Sequence, residues 1–383
     1  MKKLWPFTFN LLLFAASAFG SPFLVLYYQE LAFSGAEIGL LTGITPLVTF
    51  LSTPLWTGLA DATQRHRLLM SLAILVGATT LGMLPLLRAF VPVLLIALLL
   101  FLFMAPVTPF ADSATMFMLG EEKEMYGRIR LGGTVGYGLA APIAGMLVQS
   151  HGLRVGFWGC AVLLLLGLVV SQKLVYGQLK ADNPASAGVR TLMSNPRWLP
   201  FLILAFASGA GLAALNNYLF AYMKELGANE STMGLALTVG TLSEIPILFF
   251  GNRLIKRLRP DGLLVLSMVI TGLRMLLFAA CRTPSSVLFV QLVSGLTFPA
   301  FWVAGVSYAD ENAPAGMRTT ALGLFNAAVM GFGMAVGGFI GGPLLTSVGG
   351  RGLYAVFAAV VLATVGIAAL IGRCLPRRSL YDH

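Results

Sequence analysis

Long apolar runs alternate with short polar breaks along the whole chain. A helix needs about 20 apolar residues to cross a hydrocarbon core about 30 Å thick. Twelve stretches meet that length: 6–28, 36–60, 68–88, 91–119, 131–150, 155–175, 198–223, 231–251, 262–281, 285–308, 319–347 and 352–372. The long polar stretch is Gln178–Arg197, which carries Pro184, Pro196 and several small residues. The pattern predicts an all-α, polytopic membrane protein: a six-helix bundle over 1–177, a linker over 178–197 and a second six-helix bundle over 198–383. Lys2-Lys3, an apolar run and Ala16-Ser17-Ala18 give the amino terminus the outline of a secretory signal. That run continues through Ser21-Pro22 to Tyr27-Tyr28, and its counterpart recurs later in the chain. It is therefore expected to remain as span one.

Composition narrows the class further. Charged residues make up 10% of 383 and apolar residues 57%, with a mean hydropathy of +0.86. A soluble domain carries about 25% charged residues, so this chain cannot furnish a polar skin. The net charge of +10 comes from Lys and Arg in short clusters between apolar runs. A nucleic-acid footprint would gather them in one patch with interleaved aromatics, so no nucleic-acid partner is expected. Cys160, Cys281 and Cys374 each stand alone, which supports neither a disulfide framework nor a cysteine metal site. His66, His151 and His383 fall in loops or the tail, and no G-x-x-x-x-G-K-[ST] loop occurs. No enzymatic activity, metal or cofactor is expected.

The basic residues also orient the chain. With both termini cytoplasmic, 19 of the 25 Lys and Arg residues fall on the inner side, among them Arg65, Arg67, Arg128, Arg130, Arg253, Lys256, Arg257, Arg259 and Arg318. Five fall outside (Arg88, Arg154, Lys224, Arg282 and Arg351), and Arg274 lies within a span. The positive-inside rule then puts the termini in the cytoplasm, with a bacterial inner membrane as the setting.

The halves echo each other at an offset near 195. Ser34 to Leu40 opens span two as Glu230 to Leu235 opens span eight. Phe110-Ala111-Asp112 recurs as Tyr308-Ala309-Asp310, Gly136-Tyr137-Gly138 as Gly331-Phe332-Gly333, and the Gly152-Leu153-Arg154 turn as Gly349-Gly350-Arg351. Two parallel six-helix halves with a site between them at the midplane form the architecture of rocker-type secondary transporters. Glycines in spans five and eleven, such as Gly333, Gly337 and Gly341, permit close helix approach, for packing, gating or both.

A charge within a span costs at least about 2.5–3.5 kcal/mol and so marks a partner or a job. Glu244 lies deep in span eight and Arg274 in span nine, about 20 Å and about 10 Å from the outer surface at 1.5 Å per residue. Direct pairing needs tilt or reach; a shared wet cavity serves equally. Asp112 and Arg130 flank the turn Glu121-Glu122-Lys123-Glu124 symmetrically, so an antiparallel hairpin brings them to one depth. They make either a solute-binding pair or a salt bridge at the hairpin base. Asn216-Asn217-Tyr218 is the densest uncharged polar cluster within a span and a candidate for solute hydrogen bonds, beside lone Asn10, Gln291 and Asn326.

Gly58-Leu59-Ala60-Asp61, followed by Arg65 and Arg67, resembles the loop signature of the major facilitator superfamily. That likeness implies a gate latched by these residues near the start of span eleven, although Gln64 stands where the pattern has Gly. Pro109-Phe110-Ala111-Asp112 and Tyr126-Gly127-Arg128-Ile129-Arg130-Leu131-Gly132-Gly133-Thr134-Val135-Gly136-Tyr137 resemble the phenylpropionate permease family and, more distantly, lactose permease. The resemblance implies Asp112, Arg130 and Tyr137 as an acid, arginine and stacking ring at the solute, and Glu244 and Arg274 as a charged pair of spans eight and nine. Ser294 and Thr297 stand where lactose permease has its His and Glu, so the implied proton carrier becomes Glu244. The resulting expectation is a secondary transporter of a small organic solute, working as a monomer in membrane lipid with H+ as coupling ion. Its solute would be an aromatic acid, sugar or nucleoside; export of a drug or metabolite, or a sensor's role, is the alternative.

Overall fold

The computed structural model describes residues 4–177, 192, 198–314 and 317–374, helical throughout with no strand among them. Spans one to six are Leu4–Glu30, Gly35–Thr63, His66–Leu86, Phe90–Leu119, Tyr126–His151 and Leu153–Ser171. Span seven comprises Trp198–Asn217 and Leu219–Glu225. Glu230–Ala280 is a helical run of 51 residues, about 77 Å if straight and far too long for one crossing. Arg259 (φ 60°, ψ 159°) breaks it into spans eight and nine. Span ten is Pro284–Gln291 with Ser294–Asn312, bent by 51°. Spans eleven and twelve fill 318–374 and part at Gly349 (φ 70°). Among the described residues this gives the twelve spans that the apolar pattern predicts. Span five starts at Tyr126, earlier than expected, which places Arg130 inside the helix. Apart from Leu192, the expected linker over 178–197 lies outside the described residues, as do Lys2, Lys3, Arg377, Arg378 and His383.

The repeat reaches down to backbone angles and hydrogen bonds. Left-handed residues close equivalent turns: Ala32 (φ 57°) matches Gly227 (φ 81°), and Gln64 (φ 55°) matches Arg259 (φ 60°), each pair 195 apart. Gln64 caps span two in a conformation that favours glycine, which explains why the superfamily pattern has Gly there. Ser34 caps span two through a reciprocal capping box with Glu37, and Asn229 caps span eight through the Thr232 N–H. Tyr27 donates to the carbonyls of Leu84 (3.1 Å) and Leu87 (2.9 Å), tying span one to the end of span three. Tyr222 does the same with Phe278 and Cys281, from span seven to the end of span nine. The two phenols also meet Phe157 and Tyr354 edge-on, at 5.1 and 5.2 Å.

Span one packs on spans five and six, and span seven packs on span eleven. Glycines set the closeness of these seams. A Cβ on Gly132 would stand 2.6 Å from the Phe7 carbonyl oxygen, and one on Gly333 2.6 Å from that of Phe206. Gly331 instead turns to Phe50 of the other half. By contact, then, Gly136, seated on Leu11, corresponds to Gly333 rather than to Gly331. A seven-residue π-helical stretch, Ala327–Gly333, lies at this point of span eleven.

Between the halves, span two packs on span eleven and span five on span eight. These contacts are graded along the membrane normal. At the end away from the basic loops, a Cβ on Gly39 would stand 2.7 Å from the Phe339 carbonyl oxygen. Midway, one on Gly331 would be 3.1 Å from Phe50 and one on Gly138 3.6 Å from Thr241. At the basic end, Gly58, Gly127 and Gly323 would meet nothing within 4 Å. The halves are therefore wedged apart at the basic end and closed at the other. The halves are also joined by hydrogen bonds: at the closed end the Thr42 and Tyr218 hydroxyls pair at 2.8 Å, and midway Thr238 Oγ1 donates to the Gly138 carbonyl (3.0 Å).

Candidate functional site

A cavity of about 680 Å³ lies between the halves at the midplane. Its wall includes two equivalent helix breaks. Span one changes to a 3₁₀ turn at Ser21–Phe23, and span seven is interrupted after Asn217. Ser21, Pro22, Asn216 and Asn217 all line the cavity there. Irregular backbone at membrane depth is tolerated where it faces such a cavity. Phe23 and Phe220 meet edge-on across the halves at 5.0 Å beside these breaks. Tyr218, next to the asparagines, is fully buried and belongs to the closed end: its hydroxyl donates to Gly338 (2.7 Å) and pairs with Thr42 (2.8 Å).

Span ten supplies the third broken element. Its Ser294–Leu296 turn is 3₁₀, and at three residues per turn positions i, i+3 and i+6 fall in line. Gln291, Ser294 and Thr297 accordingly all reach the cavity. Arg274 in span nine is 5% exposed and donates through Nη1 to Thr297 Oγ1 (3.0 Å) and through Nη2 to Gln291 Oε1. Its guanidinium stands 5.3 Å from the Phe278 ring centre. Its Nε is buried without a partner. Glu244 in span eight accepts from Ser294 Oγ at 3.3 Å. No ion pair joins Glu244 to Arg274 within 4.0 Å among the described residues; they share the cavity, with the polar column of span ten between them. Helix depth explains the separation: the acid sits further from the closed end than the arginine, as residue counting predicts. Ser294 and Thr297, noted in the sequence only as a departure from a relative, are thus direct partners of both charges. Gln291 reads in the sequence as a lone interhelical amide; its spacing of three from Ser294 and Thr297 is the signal that marks the column.

The second charge set lies elsewhere. Arg130 Nη1 donates to both Asp112 oxygens (3.0 and 2.9 Å) and to Tyr126 Oη (3.0 Å), with 42% and 30% of the two side chains exposed. The hairpin brings acid and arginine to one depth. Neither lines the cavity, whereas Tyr137, seven residues and about 10 Å further along span five, does. The structure therefore separates Tyr137 from the pair with which the resemblance groups it.

The gate residues lie at the open end. Asp61, its side chain 78% exposed, meets His66 Nε2 at 3.2 Å, and among the described residues no ion pair joins it to span eleven. Gly58 faces open space, Arg65 is the exposed N-cap of span three, and Arg67 donates to the Leu174 carbonyl (3.3 Å). His66 stacks on Tyr176, 5.5 Å between ring centres. No group of three or more His, Cys, Asp or Glu residues able to hold a metal occurs among the described residues.

Comparison with known proteins agrees with this architecture. The family model "MFS_1 like family" matches residues 6–356. An uncharacterized transporter, YwbF, of Bacillus subtilis is 30% identical over 364 residues, covering 93% of this chain and 90% of its own. The maltose permease of Geobacillus stearothermophilus is 29% identical, covering 90% and 88%. The crystal structure of the nucleoside transporter NupG superposes with a TM-score of 0.88 over 97% of this chain and 99% of that one, at 18% identity, and so shares the fold. Twelve spans in two pseudo-symmetric bundles, a midplane cavity and a family match over nearly the whole length lead to one assignment: this chain belongs to the MFS_1-like family, among the transporters of the major facilitator superfamily.

Proposed function

We propose that this chain moves a small organic solute by alternating access, coupled to H+ symport, with the solute held between the halves and the proton carried on Glu244. The carrying observation is the cavity: both halves line it, the molecule is sealed on one side of it and wedged open on the other, and Glu244 is its lining carboxylate. A carboxylate crosses a low-dielectric path far more cheaply when neutral, so coupling follows if the halves rock only with Glu244 protonated and solute bound. Asn216, Asn217, Tyr137 and Arg274 supply solute contacts. Residues 1–177 and 198–383 act as the rocking bodies, joined through 178–197. The basic end faces the cytoplasm of a bacterial inner membrane, one chain suffices, and Asp61, Arg65 and Arg67 meet span eleven when that end closes.

The test is transport by purified protein in proteoliposomes. Glu244→Gln, which keeps the shape without the titratable proton, is expected to exchange solute across the membrane yet fail to accumulate it under a proton gradient. Accumulation by the variant at the wild-type level sinks the coupling assignment.

A further inference from the structure

We infer that the site takes an uncharged, hydroxyl-rich solute, and that the polar column of span ten is what turns carboxylates away. This rests on the transport reading above and narrows it. Among the described residues lining the cavity, Glu244 and Arg274 carry the only formal charges, one of each sign. An arginine captures a carboxylate by presenting two N–H groups as a fork. Both terminal nitrogens of Arg274 are already committed, one to Thr297 and one to Gln291. The third nitrogen, Nε, is buried away from the cavity, so Arg274 presents no free two-pronged fork to a solute.

A hydroxyl can donate to a Glu244 oxygen, and it adds no charge. A carboxylate only accepts, so it cannot donate to Glu244, and whenever Glu244 is ionised it adds a second negative charge beside the first. Within a wall that is otherwise mostly apolar, Thr45, Thr49, Thr134, Asn216, Asn217 and Thr241 bring hydroxyls and amides from both halves. The cavity volume of about 680 Å³ suits a sugar- or nucleoside-sized molecule.

The rival is an anion entering with Glu244 protonated, and the two differ in the charge they move. One proton with a neutral solute carries one positive charge per turnover; one proton with a carboxylate carries none. Full-length protein in proteoliposomes at equal pH is given an inside-negative potassium diffusion potential, with uridine, maltose and 3-phenylpropionate as probes. The expected result is exchange of a neutral probe, none of 3-phenylpropionate, and accumulation rising about tenfold for each 59 mV or so imposed. Exchange of 3-phenylpropionate alone, with accumulation indifferent to the potential, overturns the inference and leaves solute transport standing. Exchange of no probe overturns both. Exchange of a neutral probe indifferent to the potential supports the solute class and removes the proton. In Gln291→Leu, which frees one terminal nitrogen of Arg274, 3-phenylpropionate is expected to compete for neutral-solute exchange at least tenfold better than in the wild type. Unchanged competition removes the role given to span ten.

Discussion

The molecule holds two acid–arginine sets, and they are built in opposite ways. Asp112 and Arg130 touch, oxygen to nitrogen at 2.9 Å, half-exposed at the base of a hairpin. Glu244 and Arg274 form no ion pair within 4.0 Å among the described residues; both line the cavity, where Ser294 of span ten bonds the acid and Gln291 and Thr297 bond the arginine. A direct pair near the surface satisfies itself. A separated pair leaves the Glu244 carboxylate for something that enters. The same residue types thus make a fastening in one place and a site in the other, and the difference lies in what occupies the space between the charges.

Removing Arg274 is the most damaging way to test this contrast. Arg274→Ala leaves Glu244 without its counter-charge and Gln291 and Thr297 without the donor they face. Hydrogen bonds to a charged group are worth about 1.5–3 kcal/mol each. Solute exchange is expected to vanish and the melting temperature in detergent to fall. Wild-type exchange by Arg274→Ala contradicts the site assignment.

Thr297→Val is the intermediate case, since it keeps the shape and takes one acceptor from Arg274 Nη1. A loss of about 1–2 kcal/mol in solute affinity is expected, a factor of about 5–30 in the solute concentration for half-maximal exchange. An unchanged value means that the column is scaffolding alone.

Arg130→Ala is expected to do least. Exposed and half-exposed pairs contribute about 0.2–1 kcal/mol after screening, and this pair lies outside the cavity. Solute-induced thermal stabilisation is expected to survive in full, because a ligand still bound to the native state still stabilises it. Its loss would bring the hairpin pair into the solute site and dissolve the contrast.

Much of this was legible before folding. The hairpin pair could be placed because two residues equidistant from one turn meet at one depth in any antiparallel hairpin. The offset of 195 could be read from short echoes, although the Gly136 equivalence was off by two residues where span eleven becomes π-helical. The separation of Glu244 from Arg274 was visible as a difference in counted depth. What filled that gap was not. Gln291, Ser294 and Thr297 look scattered at 3.6 residues per turn, and they align only because the chain turns 3₁₀ at a 51° bend. The phenol ties of Tyr27 and Tyr222 were equally silent, since each reaches a carbonyl about 57 residues away.

The sequence by itself determined that this chain lives in a bilayer, how many times it crosses, how its two halves correspond and where its buried charges lie. Apolar length, basic loops and spacing are local quantities, and local quantities fix crossing and depth. Only the tertiary structure decided which charges share a cavity, what stands between them, and that the halves close at one end and part at the other. Those are relations between helices far apart in sequence, set by backbone contact at Gly39 and by hydrogen bonds such as Thr42 to Tyr218, and no periodicity within a single span encodes them.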